Sequence, residues 1–223
     1  MGITIGIDGP SGSGKSTVSK DVARRNGLAY LDTGAMYRVA TLAVLRAGVD
    51  PTDTEAVIAA TRDLPLAVND DPDSTEVLLD GENVAAEIRG REVTQNVSAV
   101  SAVPEVRENL VALQRRLAAQ AHRAIVEGRD IGTVVLADAP VKAYLTASPE
   151  IRARRRYNQD RSAGREADFA TVLADVIRRD ELDSSRTTSP LRPAEDAHLI
   201  DTSEMTLDQV LETLINLVKE SQR

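Results

Sequence analysis

Eight consecutive residues of this chain have the types and spacing of a phosphate cradle. Gly9-Pro10-Ser11-Gly12-Ser13-Gly14-Lys15-Ser16 fits the pattern G-x-x-x-x-G-K-S, with Thr17 directly behind it. Glycines let the backbone curl so that successive N–H groups point inward at phosphate oxygens. A helix starting at Lys15 or Ser16 adds its positive N-terminal end. Gly9 to Thr17 are therefore the expected contacts to a nucleoside triphosphate. Lys15 should reach the β- and γ-phosphates, and the Ser16 hydroxyl should ligate Mg²⁺. The motif specifies a bound triphosphate but not its fate, because GTPases, ATPases and kinases share it. The chain contains no Asn-Lys-x-Asp, the usual guanine reader.

A second set of residues suits an anionic acceptor. Arg38 lies in Asp32-Thr33-Gly34-Ala35-Met36-Tyr37-Arg38. Arg129 and Asp130 follow a buried apolar run, where ligands bind in open α/β sheets. Arg107 lies in the first turns of a segment opened by Pro104. Arg179, Asp183 and Arg186 are spaced by four and three, the spacing of one helix face. Converging arginines suit a dianionic phosphate monoester, because their planar forks match its oxygens. The competing reading is ordinary surface pairing with the 35 acidic residues of the chain. The run Arg152, Arg154, Arg155, Arg156, Arg161 and Arg165 reads either as a solvated helix face or as a lid closing over the transferred phosphoryl. In the lid reading Arg154 and Arg156 are the candidates to touch the γ-phosphate.

The elements that position these residues are legible in outline. Ile3 to Asp8 is a short apolar run bounded by a turn, and reads as a buried strand. Ser16 to Asn26 reads as a helix closed by Gly27. Leu28 to Leu31 is a second strand, and Thr33 to Ala47 a second helix. This alternation predicts a parallel sheet. Leu66 to Val68 and Val77 to Leu79 are strand-like pieces around a turn-rich stretch, with Asp80-Gly81 after the second. Val93 to Ala102 and Pro104 to Ala121 read as helices, Pro104 suiting a first helical position. Ala124 to Glu127 and Val141 to Thr146 are strands. Arg152 to Arg165 is helical or loop, Asp168 to Ser185 a helix, His198 to Ile200 a strand and Leu207 to Lys219 a closing helix. The expected fold is α/β, a five-stranded parallel sheet flanked by helices, with a small β-rich insert at about 64–91 and a short arginine-rich lid at about 150–165. The core takes 1–63, 92–149 and 166–223 in a single domain 1–223, and the two inserts are the parts expected to move.

Composition narrows the partners. The chain has 223 residues, 42% of them hydrophobic, and a net charge of -8. The acidic balance argues against nucleic acid, which selects basic surfaces. There is no cysteine, so disulfides and thiolate metal sites are excluded. The only histidines, His122 and His198, do not make a zinc site. No apolar run approaches the roughly 20 residues of a membrane helix, and no signal peptide is visible. A cytoplasmic location without membrane contact is expected. Only Lys15, Lys20, Lys142 and Lys219 are lysines among the 27 basic residues, which warns against treating every arginine as functional.

Taken together, these motifs resemble those of the bacterial cytidylate kinases, nucleoside monophosphate kinases that phosphorylate CMP and dCMP. The resemblance rests on Ile-Asp-Gly-Pro-Ser-Gly-Ser-Gly-Lys-Ser at 7–16, Leu-Asp-Thr-Gly-Ala-Met-Tyr-Arg at 31–38, Val-Ser-Ala-Val-Ser-Ala-Val-Pro-Glu-Val-Arg at 97–107, Glu-Gly-Arg-Asp-Ile-Gly-Thr-Val-Val at 127–135 and Arg-Asp-Glu-Leu-Asp-Ser-Ser-Arg at 179–186. It covers nearly the whole chain. It implies transfer of the γ-phosphoryl of ATP, with Mg²⁺, to CMP or dCMP. It implies that Arg38, Arg129 and Arg186 hold the acceptor phosphate, that Ser98, Arg107 and Asp130 read the cytosine, and that Arg179 and Asp183 touch the sugar with Tyr37 nearby. Thr33 stands where relatives commonly carry serine, and keeps the hydroxyl. Lys15, Arg129, Arg154, Arg156 and Arg186 are the residues expected to stabilise the transferring phosphoryl. A monomer is expected. Kinases of another small acceptor, such as another nucleoside monophosphate or shikimate, and a non-catalytic nucleotide-binding module are the alternatives.

Overall fold

The computed structural model describes residues 4–220. The first strand, β1, covers Thr4–Asp8; its expected first residue, Ile3, lies outside the described residues. The order continues through α1 (Lys15–Asn26), β2 (Ala29–Asp32), α2 (Thr33–Arg46), α3 (Thr54–Thr61), β3 (Leu66–Val68), β4 (Val77–Leu79) and β5 (Glu82–Asn83). It then runs through α4 (Arg91–Val100), α5 (Pro104–Ala121), β6 (Ala124–Gly128), β7 (Val141–Thr146), α6 (Pro149–Ser162), α7 (Phe169–Ser185), β8 (His198–Asp201) and α8 (Leu207–Glu220). A π-helical turn, Ile131–Val135, follows β6.

The expected five-stranded sheet is present, in the order β2-β6-β1-β7-β8. β2 and β6 run parallel, as do β1 and β7, and β7 and β8. All five residues of β6 are buried. Continuous burial rather than alternation is expected of a parallel strand covered on both faces.

The chain forms two compact units. One is Ala23–Glu127 with the stretch to Thr4; the other is Ile5–Val22 with Gly128–Arg223. In the first unit α2 is the central element. Its Met36, Tyr37, Ala40 and Val44 pack with Val57 of α3, Val97 and Val100 of α4, and Val106 and Leu110 of α5. Its Ala35, Val39 and Leu42 pack with Val77 and Leu79 of β4, Val84, Ile88 and Val93. A helix buried on opposite sides carries apolar residues almost all round, and α2 does. Asp32 starts it, accepting a hydrogen bond from the Ala35 N–H at 2.9 Å.

The β-rich insert is an antiparallel sheet in the order β3-β4-β5. Its hairpin turns on Asp80 (φ 50°) and Gly81 (φ 77°). Two consecutive positive φ values make the turn whose twist suits a two-residue hairpin. The insert is fastened to α2 by its apolar strand and by Arg46, which pairs with Glu82 at 2.7 Å and with Glu87.

Candidate functional site

The phosphate loop lies in the second unit, between β1 and α1. Gly9 has φ 146°, and a β-carbon there would lie 1.9 Å from the Leu145 carbonyl oxygen of β7. Only glycine lets β1 turn so tightly against its neighbour. Gly12, at φ 80°, sits against Arg152 of α6, whose Cβ is 3.1 Å from where a glycine substituent would begin. Lys15 is buried, and its ammonium donates to the Pro10 carbonyl at 2.9 Å and reaches the Ser13 hydroxyl at 3.5 Å. The ammonium therefore lies within the curl of the loop. Ser16 is exposed at the start of α1.

Two arginines of α6 brace the loop from outside. Arg152, 3% exposed, donates from Nη1 to the Ser11 carbonyl at 3.1 Å and is held by Asp180 of α7 through both terminal nitrogens. Arg155 donates to the Thr202 carbonyl at 2.7 Å and to the Ser13 carbonyl at 3.4 Å. These two members of the arginine run hold backbone, so they are not free to meet a phosphate. α6 is a regular helix, capped by Ser148, whose hydroxyl accepts from the Ile151 N–H, and opened by Pro149.

The other arginines of the second unit gather on one carboxylate. Arg129 donates from Nε to Asp183 at 3.2 Å, and Arg186 approaches the same carboxylate at 4.0 Å. Asp183 is buried in α7. Burial alone would raise its carboxyl; Arg129, Arg186 and Arg179 outweigh that and hold it below the ordinary value. Arg179 is pushed down to about 10, by burial first and then by Arg129, with Asp183 opposing. Three guanidiniums therefore share one carboxylate, which leaves local positive charge in excess. The spacing argument needs one correction. Arg186 is not on the helix face but at the C-cap, with extended backbone (φ -57°, ψ 136°), and it donates to the Ser189 carbonyl at 3.1 Å. The chain leaves the helix there, yet the guanidinium still turns back to Asp183. Asp130, also buried, sits at the end of β6 immediately before the π-helical turn.

The first unit holds the remaining candidates. Arg107, 2% exposed on α5, lies over the Tyr37 ring with its Cζ 5.0 Å from the centroid, and donates to the Ser101 carbonyl at 3.1 Å. Ser98 is buried one turn earlier in α4, and its carbonyl accepts from the Ser101 hydroxyl at 3.2 Å. Arg38 donates from Nη1 to the Ile88 carbonyl and to the Thr94 hydroxyl, both at 2.9 Å. The buried Thr33 hydroxyl donates to the Glu127 carbonyl at 2.7 Å, tying the start of α2 to β6.

Comparison with known proteins bears on this arrangement. The family model described as cytidylate kinase matches residues 5–220. The chain belongs to the cytidylate kinase family. It is 69% identical over 220 residues to a cytidylate kinase of Corynebacterium glutamicum, covering 99% of this chain and 96% of that one. It is 70% identical to one of Corynebacterium efficiens with the same coverage. A crystal structure of an uncharacterized protein from Eubacterium ventriosum, 14% identical, matches the fold with a TM-score of 0.55 over 99% of both chains.

Within this cytidylate kinase family chain the two γ-phosphate candidates each meet a neighbouring side chain. Arg154 is exposed and lies over the Phe169 ring, 4.2 Å from its centroid. Arg156 pairs with Asp160 at 3.1 Å, and Asp160 also holds Arg165. Sequence reasoning missed Asp8 and Asp180. Asp8 stood unremarked at the end of β1, although a carboxylate closing an apolar strand is itself a signal. Asp180 follows Arg179 directly, and nothing in its spacing separates it from its charged neighbours. Among the described residues no cluster of His, Asp and Glu is built to hold a metal by itself.

Proposed function

We infer that this chain transfers the γ-phosphoryl of ATP to CMP or dCMP, giving ADP and CDP or dCDP. The observation that carries the reading is the group of Arg129, Arg179 and Arg186 around Asp183, in the unit that also carries the phosphate loop. An excess of guanidinium over carboxylate is a poor stability device but a good receptor for a phosphate dianion.

Roles follow from the chemistry of each group. The loop amides and Lys15 hold the ATP phosphates, Lys15 exchanging its bond to Pro10 for phosphate oxygens. Arg129 and Arg186, with Arg38, hold the acceptor phosphate. Arg179 and Asp183 meet the sugar. Asp130 accepts from the cytosine amino group, while Arg107 and Ser98 serve the ring nitrogen and carbonyl, with Tyr37 packed beneath Arg107. Uracil presents an acceptor where cytosine presents a donor, so a carboxylate disfavours UMP. The acceptor phosphate is already largely ionised at neutral pH, so no general base is needed. Transfer is in line, and Lys15, the loop amides and arginines from α6 neutralise the developing charge.

Mg²⁺ fits the donor set. Ser16 offers one exposed hydroxyl at the start of α1, and the triphosphate supplies further oxygens, the usual way such an ion is held. It neutralises phosphate charge when bound. The stretch at about 150–165 serves as the lid, with Arg154 and Arg156 leaving Phe169 and Asp160 when it closes, and about 64–91 serves the acceptor side. No helix of the described residues is long and apolar enough to cross a membrane, and the reading retains a cytoplasmic enzyme. Among the described residues the large apolar side chains left exposed are Ile177, Leu182, Leu199 and Leu207, and the working reading is a monomer.

A coupled ADP-release assay across CMP, dCMP, UMP, AMP and shikimate tests the reading. CMP and dCMP should have the highest kcat/KM. A higher value for UMP would overturn the cytosine assignment, and ATP binding without CMP-dependent turnover would overturn the enzyme. Asp130→Ala should erode the preference for CMP over UMP by roughly 10²-fold; an unchanged preference would move base reading elsewhere.

A further inference from the structure

Asp8 is the last residue of β1 and is 4% exposed. Its two carboxylate oxygens are used by one turn. Oδ1 accepts from the Ile131 N–H at 2.8 Å, and Oδ2 accepts from the Gly132 N–H at 2.7 Å. Those are the first two amides of the π-helical turn, and they follow Asp130 directly. The same peptide group is held at its other edge, since the Asp130 carbonyl accepts from the Val134 N–H at 2.8 Å and the Val135 N–H at 3.1 Å. The turn is pressed onto the strand besides. A β-carbon on Gly6 would lie 3.1 Å from Ile131 Cγ2, and one on Gly132 would lie 3.4 Å from Asp8 Oδ2.

Asp8 is also bonded covalently to Gly9, the first residue of the phosphate loop, whose backbone is locked against Leu145. One side chain therefore joins the donor loop to the turn carrying Arg129 and Asp130. We propose that Asp8 is a positioning residue, whose carboxylate holds the Arg129–Gly132 turn in register with the phosphate loop and so sets the acceptor for attack. The proposal rests on the phosphoryl-transfer reading above.

The fold gives reason to regard this carboxylate as functional. Burial pushes its carboxyl up to about 6, with Asp130 adding to the rise and the two amides and Lys15 opposing it. A neutral side chain would avoid that cost, so the charge is retained for what it holds. An ionised carboxylate accepts at both oxygens, whereas an amide accepts at one and turns an N–H toward the other donor.

The test compares wild type with Asp8→Asn and Asp8→Ala. Wild-type turnover with CMP is measured first; its absence would remove the functional reading itself. With wild type active, Asp8→Asn should lower kcat/KM for CMP about 30-fold and narrow the CMP-over-UMP preference, while ATP affinity by calorimetry stays within about threefold. Hydrogen exchange at the Ile131 and Gly132 amides should quicken in both variants, with thermal unfolding still cooperative. Unchanged CMP kinetics would overturn the proposal. So would a loss of ATP affinity equal to the loss in CMP kcat/KM, because Asp8 would then serve the loop alone. If Asp8→Asn does not fold, Asp8→Ala is read by the same criteria, and failure of both to fold gives Asp8 a structural role and overturns the proposal.

Discussion

Two small groups of arginines, one in each compact unit, are held differently. In the unit of residues 23–127, Arg107 and Arg38 are already engaged by neutral groups, the Ser101 and Ile88 carbonyls, the Thr94 hydroxyl and the Tyr37 ring. Both guanidiniums are oriented by those contacts. In the unit holding the phosphate loop, Arg129, Arg179 and Arg186 crowd a single carboxylate and raise one another's electrostatic cost. Oriented donors discriminate, because a wrongly patterned base leaves them unpaired. Crowded cations attract, because any dianion relieves their repulsion.

The sharpest way to break this contrast is Arg129→Ala. It should cut CMP turnover by about 10³-fold, with ATP affinity retained; an equal loss of ATP affinity would place Arg129 on the donor side. Arg107→Lys comes next. It keeps the charge but loses the planar fork, and should raise the KM for CMP about tenfold while leaving ATP binding alone. A large fall in ATP affinity would show that the first unit is not purely a reader of the acceptor.

A smaller effect separates charge from geometry at Asp8. Its folded pKa, about 6, lies above the ordinary value of 3.8. A carboxyl raised on folding favours the folded state most at low pH, and that contribution is lost as pH rises through the folded value. The groups facing it, Asp130, Lys15 and, through its effect on the Tyr144 hydroxyl, β7, all belong to one unit. Asp8→Asn removes the titration. The Tm difference, variant minus wild type, should therefore move upward by about 4 °C between about pH 5 and pH 8. A flat difference would mean the carboxyl titrates as an ordinary one. Smallest of all is Arg46→Ala. The pairs with Glu82 and Glu87 are short but exposed, and their loss should leave the midpoint of chemical denaturation nearly unchanged.

Much of the frame was legible in the sequence. The bounds expected for α5 and β7, Pro104–Ala121 and Val141–Thr146, are those observed. Pro104 marks a helix start by stereochemistry alone, and β7 is an apolar run that needs no tertiary help to be seen. α3 escaped notice. It is short, and its opening signal is Asp53, whose side chain accepts from the Ala56 N–H; that residue sits in a run of other polar residues. The turn Ile131–Val135 escaped too, because its apolar residues look like a strand and its π-helical form is set by a carboxylate more than 120 positions away in sequence. The candidate site shows the same split. The loop is a local pattern and was fully readable. The division of the arginine run into Arg152 and Arg155, which hold backbone, and Arg154 and Arg156, which meet Phe169 and Asp160, depends on partners from α7, the phosphate loop, Thr202 and α6 itself, and spacing does not encode it.

The double burial of α2 has an evolutionary consequence. Arg38 sits on a helix whose other residues, Tyr37 among them, fill two apolar clusters at once. Almost any change of volume along it is felt on both sides. A lineage under selection for another acceptor therefore has little room to vary there. α2 should drift slowly among relatives, whatever they act on.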